Sequence, residues 1–182
     1  MRLQAIRAAV AMASLSTDVL VRRAEPRDAE ALVELGRDVG AEPEGWLITT
    51  GSWRTAGEER RYLKAIRRWQ HAAVLVAEAD GQVVGRLSVA RDQHPASPHV
   101  ADLGLMVAAD LRGRGIGRAL LSAAVDWARE AGVTKLELHV FPWNEPAIRL
   151  YERFGFEREG VRRGHYRRDG EEVDAILMAY RL

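Results

Sequence analysis

Residues 107–120 read Val107-Ala108-Ala109-Asp110-Leu111-Arg112-Gly113-Arg114-Gly115-Ile116-Gly117-Arg118-Ala119-Leu120. The stretch joins a strand-like run, His99 to Val107, to a helix-like one. Beyond the loop, apolar residues recur at Ile116, Ala119, Leu120, Ala123, Ala124, Trp127, Ala128 and Ala131, which is helical spacing with a wide buried face. A glycine-rich loop that opens straight into a helix leaves unpaired backbone N–H groups at the positive end of the helix dipole. Glycines let an anion come close to that backbone. Arg112, Arg114 and Arg118 add mobile positive charge around it. The segment predicts a strand, an anion-binding turn and a helix.

Two nucleotide readings of the turn fail. A dinucleotide fingerprint needs Gly-x-Gly-x-x-Gly, and after Gly115 and Gly117 the third position falls on Leu120, which is too large. A Walker-type loop needs Gly-Lys-Ser/Thr, and neither Lys64 nor Lys135 lies near. The remaining pattern, Arg112-x-x-Gly115-x-Gly117, resembles the pyrophosphate-binding signature of the GNAT family of N-acetyltransferases, which use acetyl-CoA. The resemblance implies that backbone amides of Arg112, Gly113, Arg114, Gly115, Ile116 and Gly117 hold the CoA pyrophosphate. It also implies that Leu105, Met106 and Val107 pair their backbone with the pantetheine arm.

A second segment bears on the same family. Leu136-Glu137-Leu138-His139-Val140 alternates like a strand with one apolar face. Asn144 then suits a helix N-cap, Glu145 the first turn, Pro146 a position that needs no N–H donor, and Gly155 the C-terminal stop. Asn144 and Tyr151 are seven residues apart, so they share one helix face about 10 Å apart along the axis. Asn144-x-x-Ala147-x-x-x-Tyr151-x-x-x-Gly155-Phe156 again resembles the GNAT pattern, which implies that Asn144 contacts the pantetheine region and that the Tyr151 hydroxyl lies near the thioester sulfur.

The rest of the chain predicts an α/β fold. Val19 to Ala24 reads as a first strand, and Pro26 opens a helix with Ala29, Leu32, Val33 and Leu35 inward. Ala41 to Thr55 is irregular, and a second helix is expected from about Glu58 to Trp69. Ala73–Glu78 and Val83–Val89 flank the hairpin signal Asp80-Gly81; Phe156–Arg163 and Glu172–Tyr180 flank Asp169-Gly170. The expected architecture is a mixed central sheet of about seven strands, antiparallel at both ends, with a parallel pair near the middle and about four flanking helices. In the resembled family the central pair splays and CoA enters the gap.

Composition narrows the class without choosing a function. At 182 residues the chain is expected to form one domain over residues 19–182, with residues 1–18 a disordered or loosely packed leader, less apolar than a secretory signal. The net charge of +1 gives no whole-molecule attraction to nucleic acid or acidic membrane. With no cysteine there is no disulfide, thiol nucleophile or Cys-based zinc site. His94, His99 and His165 lack ligand spacing, so no metal is expected. No apolar run approaches a membrane span, and the cytoplasm is the expected location.

Amide formation requires that an amine lose a proton and a departing thiolate gain one. Tyr151 is the candidate acid. His139 is the candidate base: it points opposite Leu138 and Val140 and titrates in the right range. Ordered water, Asp102 and Glu137 are the alternatives. His99-Val100-Ala101-Asp102-Leu103-Gly104, Gly155-Phe156-Glu157-x-Glu159-Gly160 and Asp169-Gly170-Glu171-x-Val173-Asp174 resemble a bacterial branch that includes L-amino-acid N-acetyltransferases. That likeness implies a small-molecule amine acceptor such as a free L-amino acid, with both substrates bound together. A protein N-terminus, a polyamine, an aminoglycoside or a silent acyl-CoA-binding sensor are the competing readings. Trp46, Trp53 and Trp69 are candidates for an acceptor pocket. Arg158, Arg162, Arg163, Arg167 and Arg168 read as a solvated hairpin, and an exposed edge strand near the C-terminus makes a homodimer an option.

Overall fold

In the computed structural model, residues 19–48 and 53–182 are described, and the expected leader lies outside them. The described residues form one sheet of seven strands: β1 (Val19–Arg23), β2 (Ala72–Ala79), β3 (Gln82–Arg91), β4 (Val100–Val107), β5 (Lys135–Val140), β6 (Glu157–Arg168) and β7 (Glu171–Arg181). Their order is β1-β2-β3-β4-β5-β7-β6, with β4 and β5 parallel and every other pairing antiparallel. The helices are α1 (Ala29–Gly40), α2 (Ala56–Ile66), α3 (Ile116–Glu130) and α4 (Glu145–Phe154). Both hairpins turn where the sequence places them: Asp80 and Gly81, like Asp169 and Gly170, have positive φ, the backbone twist that matches paired strands.

Two elements differ most from expectation. Helix α2 starts at Ala56 because Thr55 and Glu58 cap one another: the Thr55 hydroxyl accepts from the Glu58 N–H at 3.3 Å, and the Glu58 carboxylate accepts the Thr55 N–H at 2.8 Å. It ends at Ile66, where the Arg68 and Trp69 amides turn back three residues to Ala65 and Ile66. Strand β6 runs five residues past Arg163, because an irregularity between Arg162 and Tyr166, containing Gly164 at φ 54°, absorbs a bulge and pairing resumes at Tyr166↔Val173.

Helix α3 covers one face of the sheet, burying Leu120, Leu121, Ala124 and Ala128 against Leu87, Val89, Ala101, Leu103, Leu136 and Leu138. Helices α1 and α2 cover the opposite face on the β1 side, where Leu32, Leu63 and Ile66 meet Val74 and Val76. Strand β2 is therefore sandwiched, which explains its unbroken run Ala72-Ala73-Val74-Leu75-Val76-Ala77, all buried. The centre of the sheet decides the site. Strands β4 and β5 pair only at Val100↔Lys135, Ala101↔Leu136 and Asp102↔Glu137. Beyond that point each stays bonded to its outer neighbour, β4 to β3 through Val107 and β5 to β7 through Val140. The sheet thus splits along its middle, as the resemblance implied, and the edge of β4 from Leu103 to Val107 has no strand beside it.

Candidate active site

The split opens a cleft of about 880 Å³, within the range of small-molecule sites. Its walls include Leu105, Met106 and Val107 on β4, Arg112, Gly113, Gly115, Ile116 and Gly117 in the turn, His139 on β5, and Asn144 and Tyr151 at the start and on the buried face of α4. Residues chosen separately from two motifs therefore face one space. Arg114 is exposed and does not line it.

Gly115 is the N-cap of α3 at φ 84°, and as a glycine it offers no side chain to the helix end. The first amides of α3 are left open to a ligand. A side chain added at Gly113 or Gly115 would meet nothing within 4 Å, so there is room above both. Open amides, a positive helix end and an empty concavity suit the pyrophosphate of acetyl-CoA, and the unpaired edge of β4 suits its amide-bearing arm. Arg112 departs from expectation. Its guanidinium is fixed on Glu42 by two hydrogen bonds of 2.6 and 2.7 Å, and its Nε donates to the Val107 carbonyl at 3.1 Å. It is a strap between the turn and the segment after α1, not mobile charge.

That segment is tied down along its length. Trp143 Nε1 donates to the Glu44 carbonyl at 3.1 Å, Arg168 to Gly45 at 2.7 Å, and Asn144 Nδ2 to Trp46 at 3.4 Å. Asn144 Oδ1 meanwhile accepts the Ala147 N–H at 3.3 Å and caps α4. Glu42 to Trp46 thereby bridges the two halves of the split sheet. Trp46 and Trp53 line the cleft with Leu47 and Ile48. Trp69 does not: it lies past the end of α2 and is 58% exposed.

The titratable groups enter from two sides. Tyr151 belongs to the core on the α3 side, is 5% exposed and packs its ring on Phe156. Burial raises its phenol far above the ordinary value, so it keeps its proton. His139 alternates with Leu138 and Val140 and occupies the other face of β5. Its Nδ1 lies 2.7 Å from the Tyr166 hydroxyl, and its buried Nε2 has no hydrogen-bond partner among the described residues. Burial, then the positive charge of Arg162 and the neighbouring His165, lower its pKa against a smaller opposing effect of Glu137, so the ring is neutral at pH 7. Asp102, opposite Glu137, is pushed up to about 6 by burial and by that like charge, with Arg162 opposing. Asp102 is an exposed residue of this sheet face, and the protein packed around it still desolvates its carboxyl.

Three residues in and beside the cleft are not singled out by the sequence. Tyr166 fell beyond the expected end of its strand; Gly164, a glycine inside a strand pattern, was the available sign of a bulge that carries the pairing on to it. Arg86 and Glu59, also in the cleft wall, carried no local signal. The arginines of the β6–β7 hairpin interleave with acids, as in Arg158–Glu152 at 2.8 Å and Arg167–Glu172 at 3.3 Å. Among the described residues no cluster of His, Asp and Glu is arranged to hold a metal, and no helix is long and apolar enough to cross a membrane.

A split mixed sheet, with a side-chain-free helix N-terminus at one end of the split, places the molecule among acetyltransferases. The family model described as the acetyltransferase (GNAT) family matches residues 43–156, well over half the chain, and the protein belongs to that family. It is an N-acetyltransferase whose cosubstrate is acetyl-CoA. The chain is 35% identical over 174 residues to the L-amino acid N-acetyltransferase AaaT of Escherichia coli strain K12, covering 90% of this chain and 98% of that protein. The crystal structure of a GNAT-family acetyltransferase from Streptococcus pneumoniae superposes with a TM-score of 0.82 at 28% identity, covering 91% of this chain and all of that one. The structure of yncA, a Salmonella typhimurium acetyltransferase solved with acetyl-CoA, shares the fold with a TM-score of 0.80 at 22% identity, covering 91% and 95%.

Proposed function

We propose that the protein acetylates the α-amine of a free L-amino acid, with acceptor and acetyl-CoA bound together in the split between β4 and β5. The observation that carries the proposal is that a neutral histidine and a protonated tyrosine border one gap from opposite faces of the sheet. The choice of acceptor is supported by the likeness to AaaT along nearly the whole chain, and by the apolar wall of Trp46, Leu47, Ile48 and Trp53, which favours apolar side chains through area burial.

Acetyl-CoA supplies the thioester carbon to be attacked and the sulfur that leaves. The amides of Ile116, Gly117 and Arg118 hold its pyrophosphate, and the free edge of β4 at Leu105 and Met106 orients its arm. His139 takes the proton the acceptor amine must lose, and Tyr151 gives its proton to the departing sulfur.

An acceptor screen read by thiol release tests this: free apolar L-amino acids should react faster than spermidine, an aminoglycoside or a peptide N-terminus. In Tyr151→Phe, kcat should fall on the order of 100-fold while the KM for acetyl-CoA stays near wild type. A faster reaction with spermidine or a peptide would remove the acceptor assignment. Tight acetyl-CoA binding with no turnover of any amine would make the protein a sensor.

A further inference from the structure

Arg86 stands on β3 opposite Met106, and two residues on, Ser88 stands opposite Gly104 of β4. The same register places Ala90 opposite Asp102, and Asp102 opposite Glu137. Arg86, Ser88, Gly104, Asp102 and His139 therefore lie on one face of the sheet, the face carrying the proposed base and not the one covered by α3. The middle of this strip is low. A Cβ added at Gly104 would meet only the Ser88 hydroxyl, at 3.7 Å, so a small molecule can lie directly on the strand.

The Arg86 end of the strip is built around buried charge. Arg86 is 12% exposed and Glu59, on α2, 3%, with 3.1 Å between guanidinium and carboxylate Oε1. The approach is off the hydrogen-bonding direction, because Oε1 has no hydrogen-bond partner. The Arg86 side chain makes no hydrogen bond among the described residues, so beyond its ion pair with Glu59 its N–H fork is unspent, and the cation lines the cleft. Arg54 meets the other oxygen of Glu59 at 3.2 Å and rests on the Tyr62 ring at 4.1 Å. Two arginines and one glutamate leave one net positive charge, which matches a monoanion. A planar fork with free donors is the geometry that takes a carboxylate by two parallel bonds.

We infer that Arg86, supported by Glu59 and Arg54, anchors the α-carboxylate of the acceptor, which lies over Ser88 and Gly104 with its amine toward His139. The inference rests on the free-amino-acid reading and assigns that reading its selectivity. An acceptor lacking the carboxylate leaves the fork empty, and this end of the strip rejects it.

The test compares kcat/KM for L-leucine and L-leucinamide in the wild type, in Arg86→Lys, and in the double variant Arg86→Met with Glu59→Gln. The double variant removes the pair together and leaves no lone buried charge; Arg86→Lys keeps the charge and removes the fork. Leucinamide has the less basic amine, so slower reaction cannot be assigned to protonation. Wild type should favour leucine by roughly 10- to 100-fold, the scale of a charged hydrogen-bonded contact. The ratio should fall in Arg86→Lys and approach unity in the double variant, with thermal melting as the check on folding. A purely structural ion pair would lower both substrates together and leave the ratio unchanged, which overturns the inference, as does an unchanged ratio in a folded Arg86→Lys if the double variant does not fold. Equal use of leucine and leucinamide by the wild type overturns the inference alone. Failure to use any free amino acid overturns the acceptor reading and this inference with it.

Discussion

His139, the proposed base, owes its neutrality to its surroundings. Burial and the positive charges of Arg162 and His165 lower its pKa below the usual 6.5, so the neutral form predominates at pH 7 and is lost as pH falls through that lowered value. The rate of the free enzyme, kcat/KM, should therefore show a low-pH limb below 6.5. Asp102 titrates near 6 in the same window, so the limb alone does not assign the base. His139→Gln should abolish it along with most of the activity, whereas Asp102→Asn should retain it; the reverse result makes Asp102 the base. His139 and its orientation away from the core were legible, because period-two alternation fixes which face a strand residue takes. Its partner Tyr166 is 27 residues away and reaches it only through the β6–β7 pairing, so no local pattern announced the contact.

At the scale of elements, the turn into α3 tolerates change unevenly. Gly117 is a poor place to test the proposed anion site, since a Cβ there would lie 2.7 Å from Leu150 and press on α4. Gly115 faces open space, and its only constraint is its φ of 84°. Gly115→Val should cost about 1–2 kcal/mol of stability, seen as a melting shift of roughly 2–8 °C, while the added side chain occupies the space over the open amides. Calorimetry should show acetyl-CoA affinity reduced at least about 10-fold, the equivalent of ~1.4 kcal/mol; unchanged affinity in the folded variant would remove the turn from the binding site. The strand, turn and helix were legible because their determinants are local: periodicity, glycine and a helix end. The strap from Glu42 was not, because its partner Arg112 is 70 residues away.

Across the whole molecule, the first strand is secured by a network that spans three elements. Arg22 of β1 holds Asp28 at 2.7 and 2.9 Å, just before α1, and Glu78 of β2 at 2.7 Å. Asp28 is 5% exposed and also accepts the Glu25 amide at 2.7 Å. Burial pushes its carboxyl up, but the hydrogen bonds from Arg22 and Glu25 outweigh that and hold it below the usual carboxylate range. Its stabilising contribution is thus complete above the unfolded value and lost as pH falls through the folded one. Arg22→Ala leaves a buried charge without its main partner and should cost about 3 kcal/mol, or roughly 6–12 °C in melting temperature. The deficit should shrink as pH falls through the carboxylate range, because Asp28 without Arg22 is pushed up by burial and takes up a proton in the folded variant before it does so in the wild type. A deficit that persists unchanged at low pH would place the cost in packing.

The sequence by itself determined the family, the order of strands and helices, both hairpin turns, the glycine-rich turn into α3 and the buried face of α4. Each follows from interactions between residues a few positions apart, where backbone sterics, capping and periodicity act directly. Tertiary structure decided where β4 and β5 part, that Arg112 is bound to Glu42, that Trp46 and Trp53 but not Trp69 face the cleft, and that Glu59 and Arg86 meet. These depend on strand register and on how helices settle over the sheet. Register converts a shift of one residue into a change of face, and burial gives isolated side chains partners and proton affinities that no neighbour in sequence supplies.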